Sequence, residues 1–411
     1  MRRLIADNHP KTFTDWRELD AAFDRQYELL RDDMTALEFR RVISPAVAAV
    51  RCGHTRLSFS DDFLRGLRET ARHVPLDIRI LHDSLYILSS YRGDSIPPPG
   101  SLVISINGRS SEEIIRTIRA GVPADGRNET YKDWQINGAF RSHYLTFIES
   151  PDQFEIVFVP PDREVPETVT LQPMTPAEIR QFLDDDEPID PESEAIEWTF
   201  DDSNRYALLR VWFFDYYDDL DRFTEMIDGF FEELRDRRIT SLILDLRGND
   251  GGDPYSSAYL LTYLIGEPFR YFAARSARFF DDLKDIQHPP DQPFKGDLYV
   301  LVDGGSYSTT GHFCSLLRYQ QKGTFIGLET GGSFACHGGY KEVSLDRTGI
   351  NLLLPHTTFI TDVRDMEPGE GLRPDFEIQP SVRDLPNDRD PVLDKAVALI
   401  DSDYAPEQSR R

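Results

Sequence analysis

The sequence predicts an α/β domain that follows a helical segment and a β-rich module. Strands and helices alternate from about residue 195 to 385, and this alternation favours a mostly parallel sheet. Two apolar runs end at paired glycines, at 251–252 and 304–305, and a helical pattern follows each pair. Parallel strands end at one edge of a sheet, so we expect both glycine-rich junctions to face one crevice.

The rest of the chain divides by its residue pattern. Apolar residues at helical spacing predict helices within 16–30 and 35–50, whereas short alternating runs after about residue 74 predict strands. The predicted parts are a helical domain at 1–73, a β-rich module at 74–160, an acidic proline-rich linker at 161–194, the α/β domain at 195–385, and a C-terminal helix and tail at 386–411.

Composition favours a multidomain globular protein. A chain of 411 residues exceeds one ordinary core, and no run of eighteen apolar residues predicts a membrane span. The net charge of −26 argues against nucleic acid and anionic membranes as partners. Cys52, Cys314 and Cys336 lack metal-type spacing, so neither a zinc site nor a disulfide framework is expected, although one Cys314–Cys336 bridge stays open.

Ser308 is the first candidate for chemistry. It follows two glycines at a predicted helix start, where backbone amides point outward. A nucleophilic serine needs a base within hydrogen-bond reach and donors for the developing oxyanion, and the amide of Thr309 fits the second role. Serine at such a position is also a common helix N-cap, and Ser306 is a rival nucleophile.

Gly251 and Gly252 are the second candidate feature. A turn after a buried strand can present a backbone amide to a substrate carbonyl when no side chain blocks the approach. Asp245 and Arg247 are expected to brace this turn. A phosphate cradle is weakly supported, because neither Walker spacing nor a GxGxxG pattern is present.

Four histidines are candidate bases. His54 lies in a Gly-His-Thr segment, and His312 lies four residues after Ser308 on the same predicted helix face. His337 and His356 are further candidates. Local pattern alone leaves the choice among the four open.

Short motifs, taken together, carry a resemblance to a known family. Asp-Leu-Arg-Gly-Asn-Asp-Gly-Gly at 245–252 resembles the Asp-Leu-Arg-x-Asn-x-Gly-Gly signature of the S41 serine peptidases, which include the C-terminal processing proteases and the tricorn-core relatives. Gly-Ser-Tyr-Ser at 305–308 is similar to that family's Gly-Ser-Ala-Ser nucleophile turn. Residues 327–332 resemble its Gly-Glu-x-Thr-x-Gly, and residues 369–375 its closing Gly-x-Gly-Val-x-Pro-Asp.

Two further motifs are nearer the N-terminus. Gly-His-Thr at 53–55 matches the Asp-Gly-His-Thr of the histidine-using branch, and 99–108 is similar to the Gly-Asp-x-Ile-x-x-Ile-Asn-Gly of a PDZ-like module. The resemblance therefore implies a crotonase-like α/β catalytic domain, a PDZ-like module and an N-terminal helical part.

Departures from the family pattern select the branch. The position that holds a catalytic lysine in the processing proteases falls at about Ser333, so the resemblance favours the tricorn-like arrangement with a histidine base. The serine that flanks the tricorn histidine is Gly53 in this chain.

The resemblance also implies the roles of the site residues. Ser308 would be the nucleophile, His54 the base, and Glu367 the residue that orients the histidine, with Glu370 as the alternative. The amides of Gly251 and Thr309 would form the oxyanion hole, and no metal or organic cofactor is required.

The expected function is a serine peptidase that hydrolyses peptide or protein substrates. The alternative is a catalytically inactive peptide- or ligand-binding protein with the same fold. The resemblance implies a periplasmic or extracellular location; no signal peptide is visible in this chain, and the cytoplasm stays open.

Overall fold

The computed structural model describes residues 1–10, 13–92, 97–182, 195–345, 348–384 and 389–408, with side chains described up to residue 402 in the last range. No helix in these ranges is both long enough and apolar enough to cross a membrane. The acidic end of the predicted linker, 183–194, lies outside the described residues.

The N-terminal part is mainly helical. Its elements are α1 (Arg2–Asn8), α2 (Trp16–Tyr27), α3 (Ala36–Ala48), β1 (Arg56–Phe59) and α4 (Asp61–Thr70). Strand β1 pairs antiparallel with a strand at Ile350–Ile360, and the buried Leu57 and Leu352 belong to one apolar cluster. This part therefore shares a sheet and a core with the distant C-terminal half, which its sequence pattern did not predict.

The module that follows is a twisted antiparallel sheet with helices packed on it. Its elements are β2 (Leu76–Leu81), β3 (Ser84–Ser90), β4 (Leu102–Ile106), β5 (Arg109–Ser110), α5 (Ser111–Gly121), α6 (Glu129–Gly138), α7 (Phe140–Phe147), β6 (Phe154–Val159), β7 (Glu167–Leu171) and α8 (Pro176–Arg180). The main strand order is β2-β3-β4-β6-β7. Strand β7 and helix α8 lie within the predicted linker, because the alternating residues of β7 complete the sheet beside β6. The PDZ-like identity of this module stays a prediction.

The α/β domain contains the remaining elements. These are β8 (Ile196–Phe200), β9 (Ala207–Val211), α9 (Leu220–Asp236), β10 (Ser241–Asp245), α10 (Pro254–Ile265), β11 (Phe269–Arg270), a 3-10 helix (Arg278–Lys284), β12 (Ile286–Gln287), β13 (Asp297–Val302), α11 (Thr309–Tyr319), β14 (Thr324–Gly327), β15 (Ala335–Leu345), β16 (Ile350–Ile360), β17 (Phe376–Glu377) and α12 (Pro391–Gln408).

The central sheet has the order β17-β14-β13-β10-β9-β8, with every pair parallel except β8 and β9. Every residue of β10 is buried, as expected for a central strand covered on both faces. Strands β10 and β13 are neighbours, so their carboxyl ends bring the two glycine-rich junctions together. The mixed helix and sheet fold and the adjacency of these junctions are as the sequence predicted.

Candidate active site

Ser308 is the N-cap of helix α11 and has a strained backbone. Its φ of 54° and ψ of −120° lie in a backbone region that residues other than glycine rarely adopt. Such strain persists only where surrounding contacts enforce it, and it occurs often at functional sites. Ser308 Oγ lies 3.2 Å from Nε2 of His54, so the structure brings together two residues 254 positions apart.

Several contacts enforce this turn. The hydroxyl of Ser306 donates to the carbonyl of Leu246 at 2.8 Å and links the ends of β13 and β10. The amide of Gly332 donates to the carbonyl of Ser306 at 3.0 Å, and a Cβ at Gly332 would lie 2.7 Å from the Ser308 nitrogen. The paired glycines at 331–332 therefore allow their backbone to approach the backbone of Ser308 closely. The Ser306 hydroxyl stabilises the turn, so Ser306 does not compete with Ser308 as nucleophile.

His54 has a second hydrogen-bond partner. Its Nδ1 lies 2.8 Å from the hydroxyl of Tyr307, the residue directly before Ser308. The Tyr307 hydroxyl also lies 3.1 Å from Oδ1 of Asp125, and the same oxygen accepts the amide hydrogen of Gly53 at 2.8 Å. A continuous chain of hydrogen-bonding groups thus runs from Ser308 through His54 and Tyr307 to Asp125.

Gly53 makes room for the Tyr307 hydroxyl. A Cβ at Gly53 would lie 2.5 Å from that oxygen, closer than real contacts allow. The two departures from the family pattern at 53 and 307 are therefore sterically linked. Gly53 occupies the position of the serine that flanks the histidine in the tricorn-like pattern. In this chain the hydroxyl beside His54 comes from Tyr307 instead.

The chain of groups is buried. His54 is 7% exposed, Tyr307 3% and Asp125 1%. Burial, helped by the nearby Arg56 and His312, lowers the pKa of His54 to about 3, so its imidazole is neutral near pH 7. Burial raises the pKa of Asp125 to about 7 against the opposing hydrogen bonds from Gly53 and Tyr307. Within the described residues, Asp125 Oδ2 has no hydrogen-bond partner.

Neither predicted glutamate, Glu367 or Glu370, is the hydrogen-bond partner of His54 Nδ1. The side chains of Glu367 and Glu370 are exposed, whereas Nδ1 of His54 contacts Tyr307. The structure therefore does not bring Glu367 to the histidine. The closing motif instead meets Glu329, whose Oε1 accepts the amide of Gly371 at 3.0 Å and the side-chain amide of Asn128 at 3.1 Å.

The glycine turn lies directly against the nucleophile. A Cβ at Gly251 would lie 2.9 Å from both the Ser308 Cβ and the Thr309 nitrogen. The amide of Gly251 donates to Oδ1 of Asn249 at 3.0 Å, which departs from its predicted oxyanion role. The amides of Gly252 and Thr309 make no hydrogen bond within the described residues and border the same cavity as Ser308.

Asn249 is a buried residue that sequence reasoning did not single out. Its side-chain amide donates to the carbonyl of Val211 at 2.9 Å, and its Oδ1 also accepts the hydroxyl of Thr310 at 2.7 Å. Its carbonyl accepts the amide of Tyr307 at 3.0 Å. It thereby joins β9, the glycine turn and the start of α11, and its place in the Asp-Leu-Arg-x-Asn motif was the available signal.

Asp245 and Arg247 brace the turn as predicted. The Arg247 guanidinium donates to Asp245 at 2.9 and 2.7 Å and to Asp390 at 2.9 and 2.7 Å. The pair with Asp390 ties the start of α12 to the end of β10.

A cavity of about 230 Å³ opens beside Ser308. Its lining includes the aromatic side chains of Tyr217, Phe279, Phe280, Tyr340 and Phe359. A larger cavity of about 630 Å³ lies between the module and the sheet and contains neither Ser308 nor His54. The smaller cavity is therefore the one positioned to receive a group attached to a reacting carbonyl.

The other histidines are not placed as bases. His312 borders the cavity but is 1% exposed, and neither ring nitrogen has a hydrogen-bond partner within the described residues. His337 Nδ1 lies 3.3 Å from the sulfur of Cys52, and the exposed His356 contacts Thr357. Only His54 is hydrogen-bonded to Ser308 among the histidines of the described residues.

Solved structures of mature CPAF share this fold. Mature CPAF superposes with a TM-score of 0.66 at 13% identity, covering 93% of this chain and 92% of that chain. Its complex with lactacystin gives a TM-score of 0.66 at 13% identity, covering 98% and 95%. The photosystem II D1 C-terminal processing protease gives 0.44 at 15% identity, covering 92% and 91%.

Sequence comparison adds a family assignment. No curated protein sequence matches the chain significantly. Residues 205–378 match the model of peptidase family S41, and these residues include both glycine-rich junctions and Ser308. The chain therefore contains a domain of peptidase family S41.

Proposed function

We propose that this protein is a serine peptidase that uses Ser308 as nucleophile and His54 as base. The observation that carries the proposal is the 3.2 Å contact between the strained Ser308 and a buried imidazole. Geometry of this kind is the signature of an activated serine, because the base must reach the hydroxyl proton.

The hydrogen bonds favour one tautomer of His54. Nδ1–H donates to the Tyr307 oxygen and the Tyr307 hydroxyl donates to Asp125, which leaves Nε2 free to accept the Ser308 proton. As Oγ bonds to the substrate carbonyl carbon, Nε2 takes that proton, and the imidazolium later returns it to the leaving amine. Tyr307 and Asp125 act as positioning residues, since they reach the substrate only through His54.

The developing oxyanion needs donors that are free before the substrate arrives. We assign this role to the amides of Thr309 and Gly252, both at the rim of the cavity. Gly251 contributes shape, because its missing side chain leaves room for the carbonyl beside Ser308. The aromatic cavity would receive the substrate side chain next to the cleaved bond.

Hydrolysis of an unfolded protein substrate tests the proposal. The purified protein should release new amino termini from a denatured, dye-labelled protein, and Ser308→Ala should release none while keeping the circular dichroism spectrum. Ser306→Ala is the matched control: it removes a hydroxyl that supports the turn through Leu246, so hydrolysis should fall but persist. Equal hydrolysis by the wild type and Ser308→Ala would overturn the assignment; no hydrolysis by either, with peptide binding retained, would support a binding protein.

A further inference from the structure

A buried cluster of side chains that can bind a metal ion lies close to His54. His9, Cys52 and His337 each offer one ligand atom, and these atoms all lie within 4.8 Å of one another. The three residues are 3%, 0% and 0% exposed. They come from three separate segments: the end of α1, the turn after α3, and strand β15.

We propose that His9, Cys52 and His337 form a zinc site. Zinc takes imidazole nitrogens at about 2.0–2.1 Å and thiolate sulfur at about 2.3 Å, which gives a nitrogen–sulfur separation of about 3.5 Å in a tetrahedral site. Nδ1 of His337 lies 3.3 Å from Sγ of Cys52, so two ligands already have nearly this spacing. The ring centroids of His9 and His337 lie 4.8 Å apart in an edge-to-face arrangement, and the ligand atom of His9 lies within 4.8 Å of the other two.

Charge balance supports a divalent ion here. Zinc with one thiolate and two neutral imidazoles carries one net positive charge, which is costly to bury alone. The carboxylate of Asp125 lies within 4.8 Å of the Cys52 sulfur, and its Oδ2 has no hydrogen-bond partner within the described residues. In its ionised form, this carboxylate offsets the excess positive charge. Binding replaces the thiol proton of Cys52, which leaves to solvent.

A second ligand set competes for the same sulfur. Cys52, His54 and Asp125 also bring ligand atoms within 4.8 Å of one another. A metal ion there would take one ring nitrogen of His54 and so displace its contact with either Tyr307 or Ser308. Binding at His9, Cys52 and His337 leaves both contacts in place, so we assign the site to that set. The ion would then fix the turn carrying His54, two residues after Cys52, and strand β15 beside Ser308.

Cobalt titration of the metal-free full-length protein tests the site. Co²⁺ bound by a thiolate gives an intense near-ultraviolet charge-transfer band together with visible bands, and Zn²⁺ should abolish both by displacement. We expect one equivalent to saturate the wild type and no charge-transfer band in Cys52→Ser. Cys314→Ser, a change at a buried cysteine in α11, should retain the band.

The histidine variants separate the two ligand sets. His9→Asn should weaken cobalt binding by at least ~10-fold. Loss of a residue that only hydrogen-bonds to a metal ligand already lowers metal affinity by about 10- to 100-fold, so loss of a ligand should cost at least as much. His54→Ala should leave the spectrum unchanged. At the same zinc concentration, zinc should also raise the melting temperature of the wild type more than that of His9→Asn, because it binds the folded state. No charge-transfer band in the wild type, or a band lost in His54→Ala but kept in His9→Asn, would overturn the proposal.

Discussion

Replacing Tyr307 with phenylalanine removes a single hydroxyl and leaves the aromatic packing in place. That hydroxyl lies 2.8 Å from Nδ1 of His54 and 3.1 Å from Asp125, while the ring stacks on Tyr131 at a centroid distance of 3.9 Å. A hydrogen bond to a charged group contributes about 1.5–3 kcal/mol. Because His54 becomes charged during attack, Tyr307→Phe should lower kcat by about 10- to 100-fold.

The assay separates positioning from substrate binding. Tyr307 does not border the cavity beside Ser308, so KM should change little while kcat falls. The rate of fluorophosphonate inactivation should fall in parallel, because it reports the same activated hydroxyl. A Tyr307→Phe enzyme whose kcat stays within twofold of the wild type would refute the relay through Tyr307.

An exchange of the two linked residues provides the control. Gly53→Ser alone places a Cβ 2.5 Å from the Tyr307 oxygen and should disturb the site. Tyr307→Ala alone removes the hydroxyl and a buried ring, at a cost of about 3–5 kcal/mol of stability. The double variant supplies a serine hydroxyl beside His54 in the vacated space. It should be more active than either single variant at a temperature where all three are folded, and a double variant no better than Gly53→Ser would count against the exchange.

Three other outcomes follow from the same geometry. Gly251→Ala should lower kcat by more than ~10-fold and also reduce stability. The φ of 107° strains any residue with a side chain, and the added Cβ would lie 2.9 Å from the Thr309 nitrogen. Normal turnover in this variant would remove Gly251 from the site. Asp125→Asn should lower kcat by at least ~10-fold with KM retained, because the imidazolium loses its buried counter-charge; unchanged kcat would exclude the carboxylate. Glu367→Gln and Glu370→Gln should each keep kcat within twofold of the wild type, as both side chains are exposed; loss of turnover in either would restore the glutamate.

Local sequence pattern predicted the sheet edge but could not choose the base. Strand-to-glycine-to-helix junctions are visible within about fifteen residues, so the adjacency of β10 and β13 could be inferred. His54 and Ser308 are 254 positions apart, and only the family resemblance suggested their pairing. Hydrophobic periodicity carries no information on contacts at such separation.

The support for His54 was missed because it required two departures to be considered together. Position 53 is glycine where the family pattern has serine, and position 307 is tyrosine where the pattern has alanine. Only the close approach of these two residues in the structure indicates that they share a role. Asp125 lies in a turn with no motif of its own. The same separation hid the cluster of His9, Cys52 and His337, whose spacing in sequence is unlike that of known zinc motifs.

The long hairpin of β15 and β16 was also not predicted. Two glycines interrupt β15 at 338–339, and Pro355 interrupts β16, so neither strand shows a clean alternation. Its pairing with β1 depends on chain segments nearly 300 positions apart. Tertiary pairing, rather than local preference, therefore determines these strands.

The most direct test of the central claim is covalent labelling of Ser308 by a fluorophosphonate, read by intact mass and peptide mapping. The wild type should gain one adduct, located on Ser308, because the contact with His54 activates this hydroxyl. Ser306→Ala should still label on Ser308, at a reduced rate because the turn loses the hydrogen bond to Leu246. Ser308→Ala should not label, and His54→Ala should label at least ~100-fold more slowly. An adduct on another residue, or labelling of His54→Ala at the wild-type rate, would contradict the account.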